Sequence, residues 1–349
     1  MPGQIVKPIA TPKSLCLLRL SAIGDVCHAV SMVQQIQTQY PEIEITWILG
    51  KVEHMLLKDL PGIEFIVFDK SKGLDGYKAL RQQMKGRKFD VLLHMQVALR
   101  ASIASLFIPA KIKVGFDKGR AKEGQWLFTN KRIEAQSEPH VLDGFNGFAK
   151  AIGVDIKTPS WNMPFGDNER SWVKEHINQD TPYVVISAAA SKAERNWHAQ
   201  GYAQVADHIA KKGLQVILCG GPTELEKTLA KDIEQHANTK LVNLVGKTNL
   251  KQLLAVLESA KLVIAPDTGP AHMATTVNTP VVGLYAHSNP QRTGPYNSLD
   301  HVVSVYPQCI TEQQGKAVKD LPWGIRAKGN LMHLISTEMV IEKVESIIL

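Results

Sequence analysis

Residues Ala265-Pro-Asp-Thr-Gly-Pro-Ala-His272 follow the apolar run Lys261-Leu-Val-Ile-Ala265 and lead into a stretch with helical spacing. Strand, acidic turn and helix start, in that order, are how a doubly wound domain builds an anion site. Pro270 suits the first helical position, where its fixed φ helps and its missing N–H costs little. That reading makes Gly269 the N-cap, with Thr268 just before it. Backbone N–H groups at such a helix end attract phosphate. Asp267 and His272 then flank the anion, where a sugar nucleotide needs a hydroxyl acceptor and a phosphate donor.

The same alternation extends in both directions. Leu15–Leu20 reads as a first strand, and Val26, Ala29, Val30, Val33 and Ile36 then recur at helical spacing before Pro41. Ile43–Leu49, Ile63–Phe68 and Phe89–His94 read as further strands, with helices over 51–59, 74–86, 98–107 and 140–152. After a proline-containing stretch and a short helix near 168–178, the pattern restarts. Strands are expected at Tyr183–Ala188, Leu214–Cys219, Lys240–Val245, Leu262–Ala265 and Val281–Tyr285. Helices fall between them at 200–212, 223–237, 249–259 and 270–277. Regular βα alternation predicts parallel sheets covered on both faces. The fold class is therefore α/β, with two Rossmann-like doubly wound domains facing across a cleft. The expected division is an N-terminal arm at 1–13, domains at 14–165 and 166–335, and a final helix at 336–349 able to pack back on the first domain.

Composition narrows the function classes. The 349 residues are 44% apolar and 21% charged, as in a globular protein. No apolar run approaches the roughly 18–20 residues that span a bilayer, and Met1–Lys13 has no hydrophobic signal core, so a cytoplasmic location is expected. Cys16, Cys27, Cys219 and Cys309 lack C-x-x-C spacing and read as reduced, packed thiols. The formal charge of +7 favours acidic partners: nucleotides, phosphorylated glycans, anionic lipid or nucleic acid. No basic helix with interleaved aromatics or known nucleic-acid motif is present, which argues against the last.

Two nucleotide signatures are set aside. Gly246-Lys247-Thr248 ends like a P-loop, but Leu241 stands where its first glycine belongs. The first strand is followed by a lone Gly24 rather than G-x-G-x-x-G, so neither NAD nor FAD is expected. Zinc-type histidine spacings are absent.

The chemistry concentrates where strands end. Asp25, in Arg19-Leu-Ser-Ala-Ile-Gly-Asp25-Val-Cys-His28, opens the first helix; it can act as an N-cap or take a proton from a hydroxyl. Ser187-Ala-Ala-Ala-Ser191-Lys192-Ala-Glu-Arg195-Asn-Trp197 crowds a hydroxyl and two cations into one loop. There Ser191, Lys192 and Arg195 suit a diphosphate, and Trp197 reads as a packing anchor. Gly220-Gly221 allows close backbone approach, or simply makes a turn. Gln96 and Arg100 follow the Phe89–His94 strand. A basic run, Lys111 through Lys122, reads for the most part as solvated surface.

Ser21-Ala-Ile-Gly-Asp25-Val, Arg195-Asn-Trp197 and Asp267-Thr-Gly-Pro-Ala-His272 together resemble glycosyltransferase family 9, which contains the bacterial ADP-heptose:lipopolysaccharide heptosyltransferases. The likeness runs from about Leu15 to the final helix and is nearest to the inner-core enzymes that add the first heptose to Kdo. It implies a GT-B fold and inverting transfer with no cofactor and no bound metal. By resemblance, Asp25 is the catalytic base. By the same resemblance Arg195, Asp267, Thr268, Gly269 and His272 hold the ADP-heptose donor, and Gln96, Arg100 and Lys122 fall at positions like those on the side of the Kdo-lipid A acceptor; the loop readings above add Ser191, Lys192 and Gly220 to the donor side. A lipid-anchored acceptor also implies peripheral contact with the cytoplasmic face of the anionic inner membrane. The rival readings are a GT-B sugar-nucleotide 2-epimerase and a non-catalytic nucleotide-sugar or nucleic-acid binding protein.

Overall fold

The computed structural model describes residues 11–348; most of the expected N-terminal arm lies outside the described residues. The chain divides into two compact units, one ending at Pro164 and the other beginning at Phe165. The first contains strands β1 (Ser14–Leu18), β2 (Glu44–Leu49), β3 (Ile63–Val67), β4 (Phe89–His94), β5 (Ala110–Gly115) and β6 (Lys131–Arg132). Its helices are α1 (Ile23–Gln39), α2 (Lys51–Leu57), α3 (Leu74–Gln83), α4 (Leu99–Ser105) and α5 (Val141–Ala151). The second contains β7 (Tyr183–Ile186), β8 (Gln215–Leu218), β9 (Val242–Asn243), β10 (Leu262–Pro266), β11 (Val281–Tyr285) and β12 (Val303–Ser304). Its helices are α6 (Asp167–His176), α7 (Ala199–Lys211), α8 (Glu224–His236), α9 (Leu250–Glu258), α10 (Gly269–Thr276), α11 (Pro290–Thr293), α12 (Tyr306–Gln314) and α13 (Thr337–Ile348).

Each unit is built on a six-stranded parallel sheet, ordered β3-β2-β1-β4-β5-β6 and β12-β11-β10-β7-β8-β9. The chain lays strands to one side of its first strand, then crosses back and lays the rest on the other. The two reversals fall between β1 and β4 and between β7 and β10. Loops leaving neighbouring strands in opposite directions open a crevice at their carboxyl ends, where such folds bind ligands. Central strands are covered on both faces, so they read as continuous apolar runs: Leu15, Cys16, Leu17 and Leu18 of β1 are all fully buried.

The predicted order of elements holds, with ends moved by one to three residues, and the departures have physical reasons. Strand β5 was hidden by its lysines. Lys111 and Lys113 alternate with Ile112 and Val114, and the Lys113 ammonium donates to the Ser105 carbonyl at 2.6 Å while its stem lies half-buried. Strands β6 and β12 are two-residue edge strands, too short to leave a periodicity, and the strand expected at Lys240–Val245 shortens to the edge pair Val242–Asn243 of β9. Helix α12 was missed because Pro307 interrupts its apolar pattern, yet proline is tolerated in a first turn. All four cysteines are buried and free, and burial pushes the Cys219 thiol up to about 12.

Helix α13 packs on α7 and strands β10–β12 of the second unit. Val340 and Val344 enter the second unit's core, and Glu345 pairs with His208 and Lys212 at 3.0 Å each. The Trp197 indole donates to the Ile335 carbonyl at 2.9 Å and closes the same seam. Val344→Ala should therefore lower stability by about 1–2 kcal/mol. Urea unfolding followed by circular dichroism measures it, and an unmoved midpoint would mean that α13 is not docked.

Candidate active site

The reversal in the second sheet places two loops side by side. The Ser187 N–H continues the β7–β10 ladder by donating to the Ile264 carbonyl at 2.9 Å, after which 187–198 departs toward α7 and 267–268 toward α10. Arg195 crosses from the first loop to the second. Its Nη2 donates to the Ser191 hydroxyl at 2.9 Å, and its Nη1 reaches the Asp267 carbonyl at 3.4 Å and the Asp267 carboxylate at 3.6 Å. The Asn196 side chain accepts from the Ala190 N–H at 2.7 Å and fixes the loop's shape. Lys192 is exposed on it.

Asp267 is the hub. Its side chain is only 12% exposed. Oδ2 accepts from the Ser288 hydroxyl at 2.7 Å and lies 4.0 Å from the Arg326 guanidinium, while the His272 Nε2 stands 3.8 Å from Oδ1. Burial alone would raise this carboxyl. The His272 ring, the Ser288 hydroxyl and the Arg326 charge more than offset it, and the group titrates below the ordinary aspartate range. Ser288 and Arg326 had no sequence signal, because both arrive from loops distant in the chain.

Helix α10 begins one residue earlier than expected. Thr268 is its N-cap, in extended conformation, with Gly269 first and Pro270 second. The Thr268 hydroxyl donates to the Ala189 carbonyl at 3.4 Å, not to its own helix, tying the two loops together. First-turn N–H groups such as those of Gly269 and Ala271 have no carbonyl of their own helix to pair with.

Gly220 lies at the end of β8. Glu226 folds back over the turn: its Oε1 accepts from the Gly221 N–H at 2.6 Å, and its Oε2 accepts from the Thr223 hydroxyl at 2.6 Å in a capping box. A Cβ on Gly221 would stand 2.9 Å from Glu226 Oε2, so a side chain there would push this carboxylate aside. Ala188, Ala189, Gly220, Glu226 and Val245 line a small cavity beneath the turn.

The first sheet's reversal carries Asp25. As the third residue of α1, it accepts from the Ala22 N–H at 3.1 Å and pairs with the Arg19 guanidinium. Both bonds end on Oδ2, leaving Oδ1 open at a side chain 28% exposed. Arg19 is itself anchored, donating to the Met95 carbonyl at 2.6 Å and lying over the Phe145 ring. The peptide bond between Ser21 and Ala22 is cis.

The sequence-derived acceptor residues gather on this side. Gln96 is buried and spends its side chain on the loop before α1. Its Oε1 accepts from the Leu20 N–H at 2.7 Å and the Ser21 N–H at 3.2 Å. Arg100 lines a cavity of about 130 Å³ with Ser21, Lys51, Glu53, Lys70 and Ser71, at the carboxyl ends of β1–β3. Lys122 is exposed on the turn whose Glu123 accepts from the Leu99 N–H at 2.7 Å. Glu53, Lys51 and Lys70 were missed by sequence reasoning; their place just after β2 and β3 is the signal that could have found them. Burial raises the Glu53 carboxyl. His28 is buried edge-on against His140, with ring centres 5.1 Å apart, and is a packing residue. Trp197 is 1% exposed and packs as expected. Among the described residues, no group of three or more His, Cys, Asp or Glu side chains is placed to hold a metal ion.

Comparison with known proteins agrees with this geometry. The model for glycosyltransferase family 9 (heptosyltransferase) matches residues 77–320. The lipopolysaccharide core heptosyltransferase OpsX of Haemophilus influenzae is 47% identical over 337 residues, covering 96% of this chain and 97% of that protein. A family 9 glycosyl transferase from Veillonella parvula has a TM-score of 0.77 at 23% identity, covering 96% and 97% of the two chains. The E. coli heptosyltransferase WaaC solved with ADP has a TM-score of 0.74 at 18% identity, covering 95% and 99%. The paired doubly wound sheets are thus the GT-B architecture. With family motifs at the reversals of both sheets and a relative of this closeness along nearly its whole length, the chain belongs to glycosyltransferase family 9 and is a heptosyltransferase of lipopolysaccharide core synthesis.

Proposed function

We propose that the chain transfers heptose from ADP-L-glycero-D-manno-heptose to a Kdo hydroxyl of the lipopolysaccharide inner core, with inversion and without a bound metal. The observation that carries this reading is the convergence of Arg195, His272 and the start of α10 on the buried Asp267. A cation, an imidazole and free N–H groups on one point suit a diphosphate. The family 9 relative solved with ADP supports a nucleoside diphosphate as the group bound there.

In this mechanism the second unit holds the donor. Ser191, Lys192, Arg195, Thr268, Gly269 and His272 grip the diphosphate, Asp267 orients His272 and Arg195 around the donor sugar, and Gly220 lies against the nucleoside. The first unit presents the acceptor, with Gln96, Arg100 and Lys122 on its side. Oδ1 of Asp25 takes the hydroxyl proton while the acceptor oxygen bonds to the anomeric carbon. The bond from that carbon to the phosphate oxygen breaks, and its electron pair leaves on ADP. Positive charge develops on the sugar ring and negative charge on the diphosphate. The carboxylate of Asp25 stabilises the first, and Arg195 with the α10 N–H groups stabilises the second. Exclusion of water as the donor is enclosed would protect it from hydrolysis. The enzyme would work in the cytoplasm, in peripheral contact with the anionic inner membrane.

Transfer assayed with ADP-heptose and Kdo-lipid A, with the product read by mass, tests the substrates directly. Asp25→Asn should lower turnover by about 10²–10⁴-fold while leaving ADP affinity unchanged. Near-normal turnover would remove Asp25 from the base's role. Arg195→Ala should weaken ADP binding by about 10–100-fold, and Arg195→Lys should recover part of it, because one ammonium cannot reproduce both guanidinium contacts. Unchanged ADP titration in Arg195→Ala would take the residue out of the diphosphate site.

The depressed Asp267 carboxyl adds a pH prediction. A carboxyl lowered in the folded state contributes stability that is present above the unfolded pKa, near 4, and is lost as pH falls through the folded value. Asp267→Asn should be less stable than the wild type at pH 7, by about 1–3 kcal/mol, and the two should converge as pH drops below about 4. A gap that stays constant in urea titrations across that range would show that the carboxylate charge is not what holds the hub.

A further inference from the structure

Gln125 is fully buried, and both ends of its amide are spent. Its Oε1 accepts from the Phe116 N–H at 3.0 Å, and its Nε2 donates to the carbonyls of His94 at 2.8 Å and Gln96 at 3.2 Å. These bonds pin the short turn 125–127 to the carboxyl end of β4. The next two side chains, Trp126 and Leu127, are nevertheless 48% and 77% exposed. Leu99, 47% exposed, lies beside them, because its N–H is the one that Glu123 accepts. Single apolar residues on a surface are ordinary, but an indole and two leucines gathered on an anchored turn are not. Lys118, Lys122, Lys131 and Arg132 are exposed on the same stretch of chain, where β6 pairs with β5 next to the Phe116 that Gln125 holds; its exposed acids are Glu123, which accepts from the Leu99 N–H, and Glu134.

We propose that the Trp126–Leu127 turn, with Leu99 and the surrounding cations, is the surface on which this chain lies against an anionic lipid bilayer. An indole suits the headgroup boundary, with an apolar ring and one N–H, and leucine suits the acyl region just below. Lysine and arginine beside them meet the negative surface potential of anionic lipid. Charge complementarity selects the occupant: four exposed cations against the two exposed acids Glu123 and Glu134, on the stretch that carries the apolar turn, match a plane of negative headgroups. The turn is also wired to the site. Gln96, whose carbonyl holds Gln125, places its own side chain on the Leu20 and Ser21 N–H groups in the loop leading to Asp25. Docking there would hold Asp25 near headgroup depth, where a lipid-anchored sugar is found. That consequence rests on the proposed transfer reaction; the docking itself does not.

Sedimentation with vesicles of phosphatidylcholine alone, or mixed with phosphatidylglycerol, tests the surface. The full chain should bind the mixed vesicles, more weakly as salt rises, and should ignore phosphatidylcholine alone. Trp126→Ser with Leu127→Ser should weaken binding by about ten-fold or more, and so should Lys131→Glu with Arg132→Glu. Each pair should keep the wild-type unfolding midpoint, and Leu225→Ser, an exposed leucine of the second unit, should bind normally. Transfer to a delipidated, water-soluble acceptor should be unchanged in the Trp126/Leu127 variant, while transfer to acceptor embedded in vesicles falls with binding. A wild-type chain indifferent to anionic vesicles, or a Trp126/Leu127 variant that binds like the wild type, would overturn the proposal. Vesicle binding as described, with no transfer to either acceptor, would leave the docking surface standing and sink the proposed reaction instead.

Discussion

A carboxylate withdrawn from water is tolerable only if opposite charge and hydrogen-bond donors surround it. Asp267 is such a group, and much of the second unit's site follows from satisfying it. Ser288 comes from the loop after β11, Arg326 from the segment before α13, Arg195 from the loop after β7 and His272 from the first turn of α10. Four separate stretches are thereby held to one point. The same contacts hold the guanidinium of Arg195 at Asp267, next in the chain to the start of α10. The Nε of Arg195 is buried with no hydrogen-bond partner, a cost that a bound anion nearby would lessen.

The sequence made some of this legible and hid the rest for reasons that can be named. Both the alternation of elements and the strand-to-helix turn at 265–272 are local properties, and local properties survive in a one-dimensional reading. The start of α10 was misplaced by one residue because the test used, a proline with no N–H, does not separate the first helical position from the second. Neither position has an intrahelical partner for its N–H. Strand β5 was read as a basic cluster because Lys111 and Lys113 open the run of charge that continues to Lys122, although their alternation with Ile112 and Val114 is that of a half-covered strand. Ser288 and Arg326 could not be found at all, since nothing local distinguishes a serine that reaches a carboxylate from one that meets water. Glu53 and the cavity beside Arg100 are similar cases: they exist only once β1, β2 and β3 lie in register.

Topology supplies the rule that unites the two halves. In each sheet the reversal sets the first strand beside the fourth laid down, and in each an arginine from the loop after the first strand meets an aspartate beside it. The pairs are Arg19 with Asp25 and Arg195 with Asp267. Repetition of the pair follows from a common constraint. The carboxyl ends of parallel strands gather helix N-termini, which favour acidic side chains, and the acids in turn recruit a cation able to make more than one directed bond. Arginine meets this where lysine would not: Arg19 also binds the Met95 carbonyl, and Arg195 also binds Ser191.

What differs between the pairs is how many of the carboxylate's oxygens are used, and the proposed mechanism divides the labour along that difference. Asp267 engages both, Oδ1 toward His272 and Oδ2 toward Ser288, Arg195 and Arg326. A group so occupied, with its proton affinity driven down by its neighbours, is fitted to position other side chains and not to accept a proton. Asp25 puts its ion pair and its backbone bond on Oδ2 alone. Among the described residues no donor competes for its Oδ1, while the bonds to Oδ2 fix the direction in which Oδ1 points. A general base needs that combination of a held carboxylate and one unspent oxygen. Of the two aspartates at the two reversals, the geometry offers it only at Asp25.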